Sequence, residues 1–158
     1  MPSFKTARRV RHSAANMFDL VADVERYPEF VPLCQTLRVR RRTDGPPGVK
    51  VLLCDMAVGY RAVRERFTSR VTLDRPQFRV LVEYVDGPFS YLDNAWNFRD
   101  ESDPAGCRIE FFIAYEFRSR ILAALMGSMF DAAFRKFAQA FEARADVVYG
   151  RPPDWPTP

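Results

Sequence analysis

Between Arg118 and Tyr149 the chain has no proline and is rich in Ala, Leu, Met and Phe, whereas the chain before it is broken repeatedly by turn chemistry. Those breaks are Asp44-Gly-Pro-Pro-Gly48, Asp74-Arg-Pro76, Asp86-Gly-Pro88 and Asp103-Pro-Ala-Gly106. Strand-length segments divided at such regular intervals read as consecutive antiparallel strands. The uninterrupted segment reads as one long helix. The two patterns together demand a sheet closed by a C-terminal helix.

The helix has two unlike faces. Ser128, Asp131, Arg135, Gln139, Glu142 and Asp146 recur at spacings of three and four and form a wet stripe. Leu122, Met126, Met129, Phe130, Ala133, Phe137, Ala140, Phe141 and Val148 fall on the opposite arc, an apolar surface that only the sheet is large enough to cover. Arg144 also falls on that arc, and its charge requires a partner, expected to be a structural ion pair.

The strands divide by their period of two. Arg64, Arg66, Thr68, Arg70 and Thr72 face out, so Val63, Glu65, Phe67, Ser69, Val71 and Leu73 face in. Phe78, Val80, Val82 and Tyr84, then Leu92, Asn94, Trp96 and Phe98, then Ile109, Phe111, Ile113, Tyr115 and Phe117 continue an apolar wall. Its polar exceptions, Glu65, Ser69, Tyr84, Asn94 and Tyr115, can bond each other or the polar end of a guest.

At the other end of the chain, Ser3 to Arg11 alternates as a first strand, and Ser13 is placed to cap a helix carrying Met17, Phe18, Leu20, Val21 and Val24. Two prolines follow in Tyr27-Pro-Glu-Phe-Val-Pro32. Pro28 suits the first turn of a second short helix, with Glu29 at its positive end, and Pro32 stops it. This predicts a stiff rim that turns Tyr27, Phe30 and Val31 towards the long helix before Cys34 opens the next strand.

The 158 residues, 47% hydrophobic and 14% aromatic, suit one domain over 1–150, with a proline-rich tail over 151–158 expected to be disordered. No apolar run reaches the length of a membrane span, and the arginine-bearing start is unlike a secretory leader. The expected location is cytoplasmic, peripheral at the inner face of the membrane, or mitochondrial in a eukaryote. Cys34, Cys54 and Cys107 are odd in number and widely spaced, which suggests buried thiols rather than disulfides or zinc ligands. Of the 24 basic residues 21 are arginine, grouped at Arg8, Arg9, Arg11 and at Arg38, Arg40, Arg41, Arg42, yet the net charge is only +4. That balance allows an anionic surface as partner but is no nucleic-acid signature, and DNA is not expected.

No catalytic residue or metal site is expected. The single histidine, His12, has no cysteine or carboxylate motif beside it and reads as a surface or capping residue, and no phosphate loop is present. A cyclase working through Glu65, Tyr84 or Tyr115 is the low-weight enzymatic alternative.

The chain resembles the coenzyme Q-binding proteins of the START-like (Bet v 1-like) superfamily, also labelled polyketide cyclase/dehydrase and lipid transport, which includes a bacterial ribosome association toxin. Three stretches carry the resemblance: Asp23-Val-Glu-Arg-Tyr-Pro-Glu-Phe-Val-Pro-Leu-Cys34; Asp86-Gly-Pro-Phe-Ser-Tyr-Leu92 with Trp96 and Phe98; and Tyr115-Glu-Phe-Arg-Ser119 with Met126-Gly127, Phe130-Asp131 and Phe141 to Gly150. Leu33 departs from it, since family members often carry tryptophan or glycine there, and this bears on the mouth of the cavity.

The resemblance implies the α+β helix-grip fold: a curved antiparallel sheet of about seven strands around a long C-terminal helix, with two short helices after the first strand. It also implies an apolar cavity holding ubiquinone or a similar lipid, carried in support of respiration. The expected lining is Tyr27, Phe30, Val31, Phe67, Val82, Trp96, Phe98, Phe111, Ile113, Leu122, Met126, Met129, Phe130, Ala133 and Phe137. Glu65, Tyr84, Asn94 and Tyr115 are expected to orient the polar end. No cofactor beyond the guest is required. A membrane surface or respiratory complex is the expected transient partner, and the ribosome is the alternative, bound through an arginine-rich surface.

Overall fold

Seven strands in the order β1-β7-β6-β5-β4-β3-β2, every neighbouring pair antiparallel, form one curved sheet in a computed structural model that describes residues 3–60, 62–102 and 104–151. The strands are β1 (Ser3–Val10), β2 (Cys34–Asp44), β3 (Val49–Tyr60), β4 (Val63–Asp74), β5 (Arg79–Asp86), β6 (Phe89–Glu101) and β7 (Gly106–Phe117). From β2 to β7 each strand pairs with its successor, and β1 then lies against β7. Helix α1 (Ala14–Ala22) and a 3₁₀ helix (Val24–Glu29) connect β1 to β2, and α2 (Arg120–Tyr149) follows β7. This is the expected α+β architecture. The tail expected over 151–158 lies, from 152 onward, outside the described residues.

Local chemistry sets the boundaries. The Ser13 hydroxyl accepts from the Asn16 amide at 3.1 Å, and the Ser119 hydroxyl accepts from Leu122 at 3.2 Å, so α2 starts two residues after Arg118. The β5–β6 turn needs glycine at Gly87, where φ is +144° and a Cβ would lie 2.5 Å from that of Phe67.

The inward residues of the sheet and one arc of α2 share a core in which Met17, Val21, Leu52, Phe89, Ile109, Phe111, Met126 and Phe141 are almost inaccessible. The arc stops short of the C-terminus of α2: Val148 is 50% exposed rather than packed, because the sheet no longer faces the last turn.

The expectation for the proline segment needs correction. The second short helix spans Val24–Glu29, so Pro28 sits in its last turn rather than its first, and Glu29 ends the helix. The Tyr27 carbonyl accepts from both Phe30 (3.1 Å) and Val31 (2.8 Å), which closes the turn without an amide from Pro28. Pro32 and Leu33 then lead into β2. Leu33 adopts φ 66°, a left-handed backbone that costs a branched side chain free energy.

Candidate functional site: a covered apolar cavity

Where the middle of α2 crosses the sheet, the core leaves a cavity of about 90 Å³. Its floor comes from β3 to β7 through Met56, Phe67, Val82, Trp96 and Ile113, and its roof from Phe130, Ala133, Phe134, Phe137 and Phe141 of α2. Tyr27, Val31, Pro32 and Leu33 close the side. Pockets for drug-sized ligands occupy roughly 300–1,000 Å³, so the remaining volume is contracted. Aromatic packing contracts it: the ring centroids of Trp96 and Phe141 lie 5.0 Å apart, those of Phe134 and Phe137 5.1 Å, and those of Phe134 and Tyr115 5.2 Å.

Ten of the expected residues line this cavity: Tyr27, Val31, Phe67, Val82, Asn94, Trp96, Ile113, Phe130, Ala133 and Phe137. Phe30, Phe98, Phe111, Leu122, Met126 and Met129 do not: Phe98 and Phe111 lie on the sheet beyond the crossing of α2, Leu122, Met126 and Met129 lie on α2 before it, and Phe30 lies at the rim. Phe98 stands edge-on to Phe18 of α1 at 6.3 Å, Phe111 lies between Trp96 and Phe4, and Phe30 packs on Phe141 at 5.0 Å. Met126 is fully buried, while Leu122 and Met129 are half-buried against the core.

The polar candidates divide in the same way. Asn94 lines the cavity and donates from Nδ2 to the Phe112 carbonyl at 2.8 Å. Tyr84, Tyr115 and Glu65 are not on it: the Tyr84 hydroxyl accepts from the Phe89 amide at 3.1 Å, the Tyr115 hydroxyl donates to the Gly127 carbonyl at 3.5 Å, and Glu65 is half-buried near the start of β4. Burial pushes the Tyr115 phenol up to about 12.

Ser69, one of the inward polar exceptions but outside the expected orienting set, is on the cavity. It is 4% exposed, lines the cavity, and its side chain bonds no described residue. Its inward register was readable from the period of two. Phe134 and Phe141 line the cavity beyond the expected set, in a run of Phe130, Phe134, Phe137 and Phe141 at spacings of four, three and four.

The proline segment is held over the cavity. Tyr27 donates its hydroxyl to the Val21 carbonyl, and burial raises its phenol well above the ordinary range. Arg144 donates to Glu29 at 2.7 Å, with Arg26 on the other carboxylate oxygen at 3.1 Å, and Arg42 pairs with Glu25. Arg144 thus has the ion-pair partner its position on the arc requires. Cys34 and Cys54 also line the cavity, their thiols pushed by burial up to about 12 and about 11.

His12 is not the surface residue expected. It is 5% exposed, and its Nε2 lies 2.7 Å from Asp146 Oδ1, joining the β1–α1 junction to the end of α2. Among the described residues no group of three or more His, Cys, Asp or Glu side chains could hold a metal ion, and no helix is long and apolar enough to cross a membrane.

A sheet folded around one long helix over an enclosed apolar cavity defines the START-like, helix-grip class. The chain belongs to the polyketide cyclase / dehydrase and lipid transport family, whose sequence pattern matches residues 10–142. Among curated relatives it is 36% identical over 149 residues to the ribosome association toxin RatA of Escherichia coli (strain K12), covering 94% of this chain and 90% of that one. It is 32% identical over 142 residues to the mitochondrial coenzyme Q-binding protein COQ10 homolog B of Xenopus laevis, covering 88% of this chain but 56% of that one. Among solved structures, an 18 kDa protein from Caulobacter crescentus superposes with a TM-score of 0.76 at 34% identity, covering 96% of this chain and all of the other. A START superfamily protein from Mycobacterium smegmatis shares the fold with a TM-score of 0.74 at 16% identity, covering 92% of this chain and 98% of that one.

Proposed function

We propose that the protein binds a long apolar lipid of the prenylated quinone type in the cavity between sheet and α2, as a carrier that performs no chemistry on it. The observation that carries this reading is an otherwise apolar chamber under a tethered cover, with the hydroxyl of Ser69 and the amide of Asn94 as the polar side chains on its wall. A chain of isoprenoid carbons would gain about 0.8 kcal/mol per CH2 buried, and a quinone carbonyl could accept from Ser69. Relationship to a coenzyme Q-binding protein supports the same guest. Loading requires the contracted chamber to widen, by displacing the Tyr27–Leu33 cover and rotating Phe134 and Phe137. The groups a cyclase would use, Glu65, Tyr84 and Tyr115, lie off the cavity, which favours a carrier over an enzyme.

Mass spectrometry of organic extracts from natively purified protein, together with quenching of Trp96 fluorescence by added ubiquinone, tests the reading. Lipid in the extract and saturable quenching are expected. An empty extract with no quenching would refute it.

A second reading, association with ribosomes, is favoured by relatives named as ribosome association toxins and by the arginines on the outer face of the sheet. It uses the exterior and is compatible with a loaded cavity. Co-sedimentation with ribosomal subunits at low salt is its test, and free protein left wholly in the supernatant would exclude it.

A further inference from the structure

The pairing register collects arginines on one half of the sheet's outer surface. Across β2, β3 and β4 the outward rows run Thr36–Ala57–Arg66, Arg38–Asp55–Thr68 and Arg41–Leu53–Arg70, with Arg64 opposite Gly59. The irregularity between Val39 and Arg41 adds Arg40 to the same face. Asp55 is the one carboxylate among these outward positions. It is already satisfied: Arg40 holds both its oxygens at 3.0 and 2.7 Å, and the Thr68 hydroxyl donates at 2.6 Å. Those three bonds, Thr68 foremost, lower the Asp55 carboxyl below its usual range. Arg38, Arg41, Arg64, Arg66 and Arg70 are exposed and make no ion pair with a described residue.

Beyond β4 the outer face is mixed in sign, with Arg79, Arg99 and Arg108 set among Glu83, Asp93 and Glu110. In the strand register Arg70 stands opposite Glu83 of β5, and Glu83 opposite Asp93 of β6, so this row changes sign beyond β4. A near-neutral total therefore conceals a segregated surface, and segregation rather than total governs attraction to a polyanion. Neighbouring strands lie about 4.8 Å apart and residues i and i+2 about 6.8 Å apart, which makes an array of guanidinium groups spaced to meet successive phosphates.

We infer that the outer face of β2–β4 is a binding surface for the sugar–phosphate backbone of double-stranded RNA. The inference rests on the ribosome reading and gives it an address. Every cation on the face is arginine, the side chain whose planar fork grips phosphate in a bidentate manner. No aromatic side chain stands on these outward positions to stack an unpaired base, so the face reads backbone shape and charge rather than single-stranded sequence. A membrane fits less well. The most exposed apolar side chains, Val147 (76%), Ile121 (74%) and Leu125 (56%), belong to α2, and on β2–β4 the exposed large apolar group is Tyr60 at the end of β3, away from the outward arginine rows.

The test measures binding of a mixed-sequence RNA duplex, of vesicles of phosphatidylcholine with phosphatidylglycerol, and of purified ribosomal subunits, each across a salt series. The proteins are the native chain, the triple variant Arg38→Gln/Arg64→Gln/Arg66→Gln, and the control Arg99→Gln/Arg108→Gln from the other half of the sheet. Duplex affinity should fall with salt, and each lost phosphate contact should reduce the log–log slope by about 0.9. The triple variant should lose most of its affinity, about 10- to 100-fold at low salt, while the control stays near native. The triple Lys variant at the same positions should keep the slope but bind more weakly, because the charge remains and the fork is lost.

Equal RNA binding by native and triple-Gln proteins overturns the inference, and binding to vesicles but not RNA assigns the face to a membrane instead. The two readings fail separately. Subunits that sediment equally with native and triple-Gln chains leave the ribosome reading standing and remove the arginine face from it. Arginine-dependent RNA binding without subunit sedimentation does the reverse.

Discussion

Arg144 of the long helix donates to the Glu29 carboxylate at 2.7 Å while its guanidinium carbon lies 5.1 Å from the centre of the Phe30 ring. One side chain therefore holds the cover of the cavity to α2 by charge and by its flat face at once. Both partners are partly solvated, so the contact works as a latch more than as a source of global stability. Removing it with Arg144→Met or Glu29→Gln should leave the fold intact and raise the rate of quinone uptake, by about two- to fivefold, measured by stopped-flow quenching of Trp96. The hydrogen bond from Arg144, then that from Arg26, lowers the Glu29 carboxyl below its usual range. A depressed carboxyl contributes its contact above the unfolded value and loses it as pH falls through the folded one. Uptake by the native protein should thus quicken at acid pH below the ordinary carboxylate range, and uptake by Glu29→Gln should not.

Ser69 carries the opposite expectation: its hydroxyl, which bonds no described residue, is expected to weaken the fold and to strengthen guest binding. A buried hydroxyl without a protein partner in an apolar wall costs about 1–3 kcal/mol relative to a paired one. Ser69→Ala should accordingly raise the unfolding free energy by about 1 kcal/mol in urea titrations while weakening quinone binding about three- to tenfold. Asn94→Leu, which breaks the bond to the Phe112 carbonyl, should lose stability as well as affinity. A Ser69→Ala protein with unchanged quinone affinity would show that the hydroxyl is an incidental defect of the core.

The grip of sheet on helix was legible in the sequence because two local signals, the turns and the proline-free stretch, leave one way to bury the apolar arc. Arg144 was legible as a charge on that arc needing a partner. What stayed hidden depends on register and on the crossing of layers. A period of two says that Phe98, Phe111 and Asn94 all face inward, but only the crossing of α2 decides that Asn94 reaches the cavity while Phe98 meets α1. The arginine face is hidden for the same reason: Arg38 and Arg66 become neighbours only when β3 is laid between their strands. Pro28 was misplaced because the 3₁₀ helix starts at Val24, directly after α1, and a proline is equally tolerated where the last turn closes on the Tyr27 carbonyl.

Leu33 carries the strain of the cover. Its φ of 66° places a branched side chain in the left-handed region, at a cost of about 1–2 kcal/mol, while its amide neighbour Gly59 fixes the conformation by donating to the Leu33 carbonyl at 3.0 Å. Leu33→Ala keeps the backbone penalty and loses the apolar contact with the core. Leu33→Gly loses the same contact and relieves the penalty. Chemical denaturation should therefore rank Gly above Ala at this position by about 1 kcal/mol, the reverse of their order in a helix. The two variants should also separate in function, since glycine lets the cover swing: lipid exchange should be faster in Leu33→Gly than in Leu33→Ala.

The buried thiols make the cavity observable. Cys34 and Cys54 line it, and Cys107 is wholly buried beside Val10; burial lifts the three thiols from an ordinary 9.0 to about 12, about 11 and about 12. Neutral thiols are poor nucleophiles, so the closed protein should react very slowly with Ellman's reagent at neutral pH, and labelling of Cys34 and Cys54 should report opening of the cover. Arg144→Met should accelerate labelling of these two and leave Cys107 unchanged, and bound quinone should protect them. The raised values also set an alkaline limit. For an acid held neutral in the fold, stability is complete below the unfolded value and is lost as pH rises through the folded one. The urea midpoint should stay level up to about pH 9 and fall steadily from there towards pH 12, with the Tyr115 phenol contributing in the upper part of that window. Replacing Cys34 and Cys54 by Ala should flatten the fall. An unchanged slope in that variant would place the alkaline transition outside the cavity wall.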